Sequence, residues 1–244
     1  MSNILRTLKI VLRSQLVTWL RGPPLGEVSW GSFRRLRPIN PNFGFDRGQP
    51  IDRYYIERFL ADHSKDICGH VLEVADNLYT KKYGREVVRS DVVHPLSDNP
   101  KATIIADLTH ADVIPSDTFD CVVFTQTLQF IYDMRTAIQT LYRILKPGGV
   151  LLATLPGISQ IDRTEPLDSW GDYWRFTSYS ARKLLESSFP PNLIEIETRG
   201  NVLASVSFLH GLVSGDLTDR ELDFNDPDYQ MLVTARAVKP KLVI

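Results

Sequence analysis

Val71-Leu72-Glu73-Val74, Glu86-Val87-Val88-Arg89-Ser90-Asp91, Thr103-Ile104-Ile105-Ala106-Asp107 and Phe119-Asp120-Cys121-Val122-Val123-Phe124 recur as short apolar runs between Gly69 and Gly157. A helical segment then leads to Gly148-Gly149-Val150-Leu151-Leu152-Ala153-Thr154. Runs rich in β-branched residues, without polar alternation, belong to strands covered on both faces, as in a parallel α/β sheet.

Ligands of such sheets bind at the carboxyl ends of the strands. Those ends carry Glu73 and Asp76 after the first run, Asp91 closing the second and Asp107 closing the third. A carboxylate that ends the second strand suits a ribose diol, because it accepts two hydroxyl hydrogen bonds at once; one a strand further over can accept from an adenine amino group. Each acid alone could instead cap a helix or turn the chain. Their succession on consecutive strands favours the ligand.

The order Val71-Leu72-Glu73-Val74, Asp91, Asp107, Phe119-Asp120-Cys121-Val122-Val123 and Leu145-Lys146-Pro147-Gly148-Gly149 resembles that of class I S-adenosylmethionine (SAM)-dependent methyltransferases over the larger part of the chain. FDCVVFTQTLQFIYD and RILKPGGVLLATLPG are its most specific part, standing for the fourth strand, its helix and the fifth strand. FGFDRGQPIDRYYIERFL and WGDYWRFTSYSARKLL resemble bacterial methyltransferases associated with glycan or glycosylated-metabolite biosynthesis. The resemblance implies a Rossmann-like, doubly wound α/β sheet of seven strands, mostly parallel, with an antiparallel seventh strand inserted between the fifth and sixth. One domain is expected, with a core over residues 61–244 and an N-terminal extension over 1–60 made of an amphipathic helix and an aromatic, basic lid segment.

By the same resemblance SAM is the cofactor. Glu73, Ala75, Asp76 and Asn77 would hold it after the first strand, Asp91 at its ribose, Asp107 and Leu108 beside its adenine, and Thr125 and Gln126 after the fourth strand. Arg53 and Tyr54, with Arg47, are candidates for its methionine end, where a guanidinium would pair the carboxylate. One departure stands out: the family's first loop is Glu-x-Gly-x-Gly-x-Gly, and here it is Glu73-Val74-Ala75-Asp76-Asn77-Leu78-Tyr79. Glycine serves there because the backbone turns tightly and a ligand comes close. Ala75 is a small change and Asn77 tolerates positive φ, whereas Tyr79 must cover the pocket or move the helix.

The chain has 244 residues, 28 basic against 29 acidic, and a net charge of −1, so no electrostatic pull toward nucleic acid is implied. Its two cysteines, Cys68 and Cys121, lack metal spacing and make no disulfide framework, which fits a reduced, cytoplasmic setting. No apolar run approaches the roughly 18 residues of a membrane span. Neither the histidines nor the carboxylates specify a metal site by their spacing.

Residues 1–21 place Ile4, Leu5, Leu8, Leu12, Leu16, Trp19 and Leu20 with Arg6, Lys9, Arg13 and Arg21, and no acid. Such a helix suits the inner face of an anionic membrane and a lipid-linked substrate; it equally suits a transit peptide, a lid or the interface of a homodimer. Residues 22–50 are rich in Pro, Gly and Arg with Trp30, Phe33, Phe43 and Phe45 interspersed, and form an irregular cover. The segment from Pro50 to Ala61 is predicted helical.

On the acceptor side, Gln126 and Gln129 can orient a substrate but cannot titrate. Trp170, Tyr173, Trp174 and Arg175 surround Asp172 as an aromatic platform suited to a sugar or planar acceptor, or as a knot that locks a loop. His210 and Asp172 are the candidate general bases. These residues point to methyl transfer from SAM to a hydroxyl of a glycan or glycosylated small molecule. The glycine-poor first loop keeps a second reading open, a methyltransferase-like binding or scaffolding protein without catalysis. A nicotinamide-dependent oxidoreductase is disfavoured, since no G-x-G-x-x-G is present.

Overall fold

The computed structural model describes residues 22–163 and 171–241. Ile39–Ile244 is one compact unit and Met1–Pro38 another; of the latter, the described residues 22–38 hold a short 3-10 turn at Gly31–Phe33. The helix expected over 1–21 and the side chain of Trp170 lie outside the described residues.

Seven strands, β1 (Gly69–Val74), β2 (Val87–His94), β3 (Ile104–Ile105), β4 (Phe119–Thr125), β5 (Leu145–Pro156), β6 (Ile194–Arg199) and β7 (Leu232–Val238), form one sheet in the order β3-β2-β1-β4-β5-β7-β6. The pairs from β3 through β5 are parallel, and β7 runs antiparallel to both β5 and β6, as expected of the doubly wound fold. The helices are α1 (Ile51–Asp62), α2 (Leu78–Tyr83), α3 (Met134–Ile144), α4 (Ser178–Leu185), α5 (Val202–Leu209) and α6 (Asp219–Asp223).

Alternate strand residues face opposite sides, and here both sides are apolar. Leu72, Val122, Leu151 and Ala153 pack with Ile138 and Leu141 of α3 and with Leu185 of α4. Val71, Cys121, Val123 and Leu152 pack with Tyr55, Ile56 and Phe59 of α1 and with Phe208 of α5. Cys121 is fully buried, and burial holds its thiol well above the ordinary value, so it is an inert core residue.

Several boundaries differ from the sequence expectation, and two matter for the site. β2 does not end at Asp91 but runs on to His94, because Val92 and Val93 continue the ladder beside Glu73 and Val74. α3 gives way to β5 at Leu145, so β5 begins ahead of Gly148, where the sequence pattern starts it. Gly148 takes φ 86°, and a Cβ at Gly149 would sit 2.9 Å from the Lys146 carbonyl oxygen and 3.0 Å from that of Phe119. The glycines let β5 pass close to β4 at an irregular register.

Residues 39–50 form a pinned cover within the same unit as the sheet. The Asn40 side chain accepts from the Asn42 and Gly44 N–H groups, and the Ile39 and Asn40 N–H groups donate to the His210 carbonyl. Pro50 bridges Val213, and Arg47 pairs Asp216 at 3.2 Å. Phe43 rests against Phe208 with ring centroids 5.9 Å apart.

Candidate active site

A cleft of about 970 Å³ opens at the carboxyl ends of β1 to β5 under Phe43 and Phe45. At the end of β1, Ala75 takes φ 67° and donates its N–H to the Val93 carbonyl, so the tight turn forms without glycine. Glu73 is buried and accepts from the Tyr79 N–H, the Thr80 N–H at 2.7 Å and the Thr80 hydroxyl at 2.6 Å. Burial pushes its carboxyl up even against those hydrogen bonds. Glu73 therefore lines the cleft but spends its acceptors on fixing the start of α2. Asp76 faces the cleft and reaches Lys101 at 3.5 Å, whereas Asn77 turns to Ser90 and does not line it. Tyr79, stacked on Tyr83, forms part of the wall, and burial pushes its hydroxyl up to about 12.

Asp91 is not at the edge. It sits inside β2, 4% exposed, with its carboxylate held by His70 at 2.6 Å, the Thr103 hydroxyl at 2.9 Å and Arg89 at 3.0 Å. The ribose role expected of it has no access to the cleft, and His94, with its ring Nδ1 2.9 Å from the Leu96 carbonyl oxygen, takes the strand-end position. Val74, Val93, Leu96, Ala106 and Leu108 form an apolar strip over β1 to β3, beside exposed Asp107, which accepts from the Thr109 N–H and hydroxyl.

Thr125 and Gln126 follow β4 into the cleft, and Gln126 takes φ 46°. Phe43, with φ 51°, makes three cleft residues without glycine in the left-handed region, a strain that gathers at functional sites. Gln129 is only 6% exposed; its Nε2 donates to the Gln126 carbonyl at 2.9 Å, and its Oε1 is a buried acceptor with no partner among the described residues.

At the mouth Tyr132, 71% exposed, meets the edge of Tyr173 at 5.3 Å and lies 5.7 Å from Trp174. Trp174 instead donates to the Ile131 carbonyl and packs on the core, so the rings open to a ligand are Tyr132 and Tyr173. Tyr132 carried no sequence signal beyond being aromatic near a strand end. Asp172 accepts from Arg175 at 2.5 and 2.8 Å and from the Asp162 N–H, while Arg175 also donates to the Ser159, Gln160 and Trp174 carbonyls. Asp172 thus locks the loop, and both its oxygens are committed rather than poised as a base. His210 caps the end of α5 and does not line the cleft.

The start of α1 completes the wall. Arg53 lies 5.0 Å over the Phe45 ring and lines the cleft; Tyr54 faces away, donating to Asp223 at 2.8 Å. Asp52, which the sequence did not single out, also lines the cleft, and burial pushes its carboxyl up to about 6 despite the adjacent Arg53 N–H. Its signal in the sequence was an acid in the first turn after Pro50, a pattern shared by ordinary helix starts. Among the described residues the cleft wall carries Asp52, Glu73, Asp76, Asp107, Asp133, Asp162 and Asp172 against the guanidiniums of Arg53 and Arg175. Its potential favours a cationic ligand and disfavours a dinucleotide pyrophosphate. No group of three or more metal-binding side chains occurs among the described residues, and among them no helix is long and apolar enough to cross a membrane.

Residues 65–153 match the family model of a methyltransferase domain. A segment of 84 residues is 33% identical to the ubiquinone/menaquinone biosynthesis C-methyltransferase UbiE of Pectobacterium carotovorum subsp. carotovorum, covering 34% of this chain and 32% of that protein, so the match spans about a third of the relative. Among solved structures, a SAM-dependent methyltransferase from Archaeoglobus fulgidus superposes with a TM-score of 0.51 at 12% identity, over 77% of this chain and 94% of that one. The N-methyltransferase NodS of Bradyrhizobium japonicum, solved with S-adenosylhomocysteine, gives 0.50 at 16% identity, over 84% and 95%. At such identities these structures share the fold with this chain.

Proposed function

We propose that this chain, whose residues 65–153 match a methyltransferase domain and whose sheet has the doubly wound order, is a class I methyltransferase that binds SAM in the cleft and methylates a hydroxyl of a glycan or glycosylated small molecule. The charge of the cleft is the observation that carries the first half. SAM brings a sulfonium and an ammonium against one carboxylate, and a wall of carboxylates with few guanidiniums complements that net positive charge. The apolar strip around Val93, Leu96 and Leu108 fits an adenine, with Asp107 beside it. Ala75 keeps the turn of the first loop, which answers the missing glycine at that position.

SAM, when bound, supplies an electrophilic methyl group. The S–CH3 bond breaks as the O–CH3 bond forms, S-adenosylhomocysteine leaves with the bonding electron pair, and the hydroxyl proton passes to water at the open mouth of the cleft. The work left to this chain is alignment of donor and acceptor for in-line displacement. Gln129 lines the cleft beside Gln126, and its Nε2 bond to the Gln126 carbonyl fixes the turn after β4 against which an acceptor would rest. Gln129 cannot take up the proton, so it orients and does not act as a base. Tyr132 and Tyr173 at the mouth suit the apolar face of a sugar ring.

Calorimetric titration with SAM and S-adenosylhomocysteine, with NAD as control, tests the cofactor; micromolar SAM binding with no NAD binding is expected, and the reverse would overturn the reading. Transfer of labelled methyl from SAM is then compared across sugar hydroxyls, amines and quinols; label in amines or quinols alone would overturn the acceptor class. A non-catalytic binding protein is the second reading, favoured by Tyr79, which stands in the wall where the family has glycine. SAM binding without transfer to any acceptor class would select it.

A further inference from the structure

Resting on that reading of the cleft, we propose that Asp52 is the counter-charge for the ammonium group at the amino-acid end of SAM. The first turn of α1 brings Asp52 and Arg53 to the cleft wall, where Tyr79 of α2, the helix that follows β1, feels both charges. A carboxylate beside a guanidinium matches a zwitterion of one ammonium and one carboxylate.

Asp52 also lacks the ion pair that fixes other carboxylates of the cleft. Asp76 has Lys101 and Asp172 has Arg175, while Asp52 accepts the Arg53 N–H at 2.8 Å and has no ion pair among the described residues. Burial pushes it up to about 6, so a proton occupies it near the pH at which a cationic ligand would displace that proton.

The charged groups around it are otherwise satisfied. Glu57 on the same helix takes Gln49 and Lys82, Arg47 on the cover pairs Asp216, and Glu73 at β1 takes Thr80. From α2, Tyr79 feels both Asp52 and Arg53 but titrates only near 12. The α5 segment Val202–Leu209 carries no ionisable residue, and Arg236 of β7 is held by Asp66 and Glu195.

The test is calorimetry of SAM binding between pH 5 and 7.5 in two buffers of different ionisation enthalpy. Wild-type affinity should fall below pH ~6, by up to about tenfold per unit, with proton release on binding. Asp52→Asn should bind SAM about tenfold more weakly at pH 7.5, with no pH dependence over this range. S-adenosylhomocysteine, which keeps the ammonium, should behave as SAM does; 5′-methylthioadenosine, which lacks the amino-acid end, should bind both proteins alike at every pH. The proton release is read on the wild type and needs no variant. SAM binding without proton release, or an Asp52→Asn profile equal to wild type, overturns the proposal and leaves the function standing. No binding of SAM by the wild type removes both.

Discussion

His70 Nε2 stands 2.6 Å from Asp91 Oδ2, strand to strand between β1 and β2 and inward of the edge where the cleft opens. Burial raises the Asp91 carboxyl, but the hydrogen bonds from His70, Thr103 and Arg89 outweigh it and hold the group below its ordinary range. Its stabilising contribution is therefore present above the unfolded value and lost as pH falls through the lower folded one.

Asp91→Asn should accordingly lower stability at pH 7 by about 1–3 kcal/mol, with the deficit shrinking in acid. SAM affinity should stay within about threefold of wild type, since no cleft contact is lost. Denaturant melts and calorimetry on the same preparation read both quantities. A folded variant that binds SAM tenfold more weakly would return Asp91 to the ribose.

Asp52 carries the opposite sign. Its folded value is raised to about 6, so the native state binds more protons than the unfolded chain between about pH 4 and 6, and stability falls as pH rises through that window. Asp52→Asn should raise stability at pH 7.5 by about 1–2 kcal/mol, allowing for partial solvent access, and the gain should vanish below about pH 4. Melting curves across that range decide it; a variant less stable than wild type at pH 7.5 would mean that a cation of the protein answers the charge.

Asp172 and Arg175 act as one clasp on the segment after β5. Asp172→Asn leaves the guanidinium without its buried partner, and Arg175→Gln does the converse, so each should cost about 2–4 kcal/mol. The double variant should cost less than the sum of the singles, by about 1–3 kcal/mol. Both singles should speed proteolytic cleavage between Gly157 and Thr177. A drop in turnover with unchanged protease resistance would restore Asp172 as a base.

The architecture was legible because its signal is repeated: each strand is an apolar run, and two covered faces leave little alternative to a parallel sheet. The strand-end acids were legible only in part. Asp76 and Asp107 reach the cleft, whereas Asp91 does not, because the Val92-Val93 ladder continues past it and its partners His70 and Thr103 come from neighbouring strands, invisible to local spacing. Asp172 and His210 have the chemistry of a base, but Arg175 and the end of α5 take them. Asp52 is hidden in the sequence because a carboxylate in the first turn of a helix is what any helix shows; only its place in the cleft and its raised carboxyl distinguish it.

Ala75 holds φ 67° where an L-residue pays about 1 kcal/mol, so Ala75→Gly relieves strain but gives the unfolded chain more freedom. The net should be a gain of up to about 1 kcal/mol, or about 2–4 °C in Tm. Ala75→Val should lose more than that, as a β-branched residue fits this region worst. Thermal melts of the three proteins test the order Gly, Ala, Val; SAM affinity should be retained in the glycine variant.

Gln129 offers the sharpest separation of folding from function. Its Oε1 is buried without a partner among the described residues, a state that costs roughly 1–3 kcal/mol, while its Nε2 bond to the Gln126 carbonyl returns about 1. Gln129→Met removes both and nearly keeps the volume, so stability should change by less than about 1.5 kcal/mol. SAM affinity should also hold. Methyl transfer to a hydroxyl acceptor should fall about 10- to 100-fold, because the bond that fixes the Gln126 turn facing the acceptor is gone. Melting, calorimetry and single-turnover transfer on one preparation distinguish the cases: a loss confined to transfer assigns Gln129 to the acceptor, and a parallel loss of SAM affinity moves it to the cofactor.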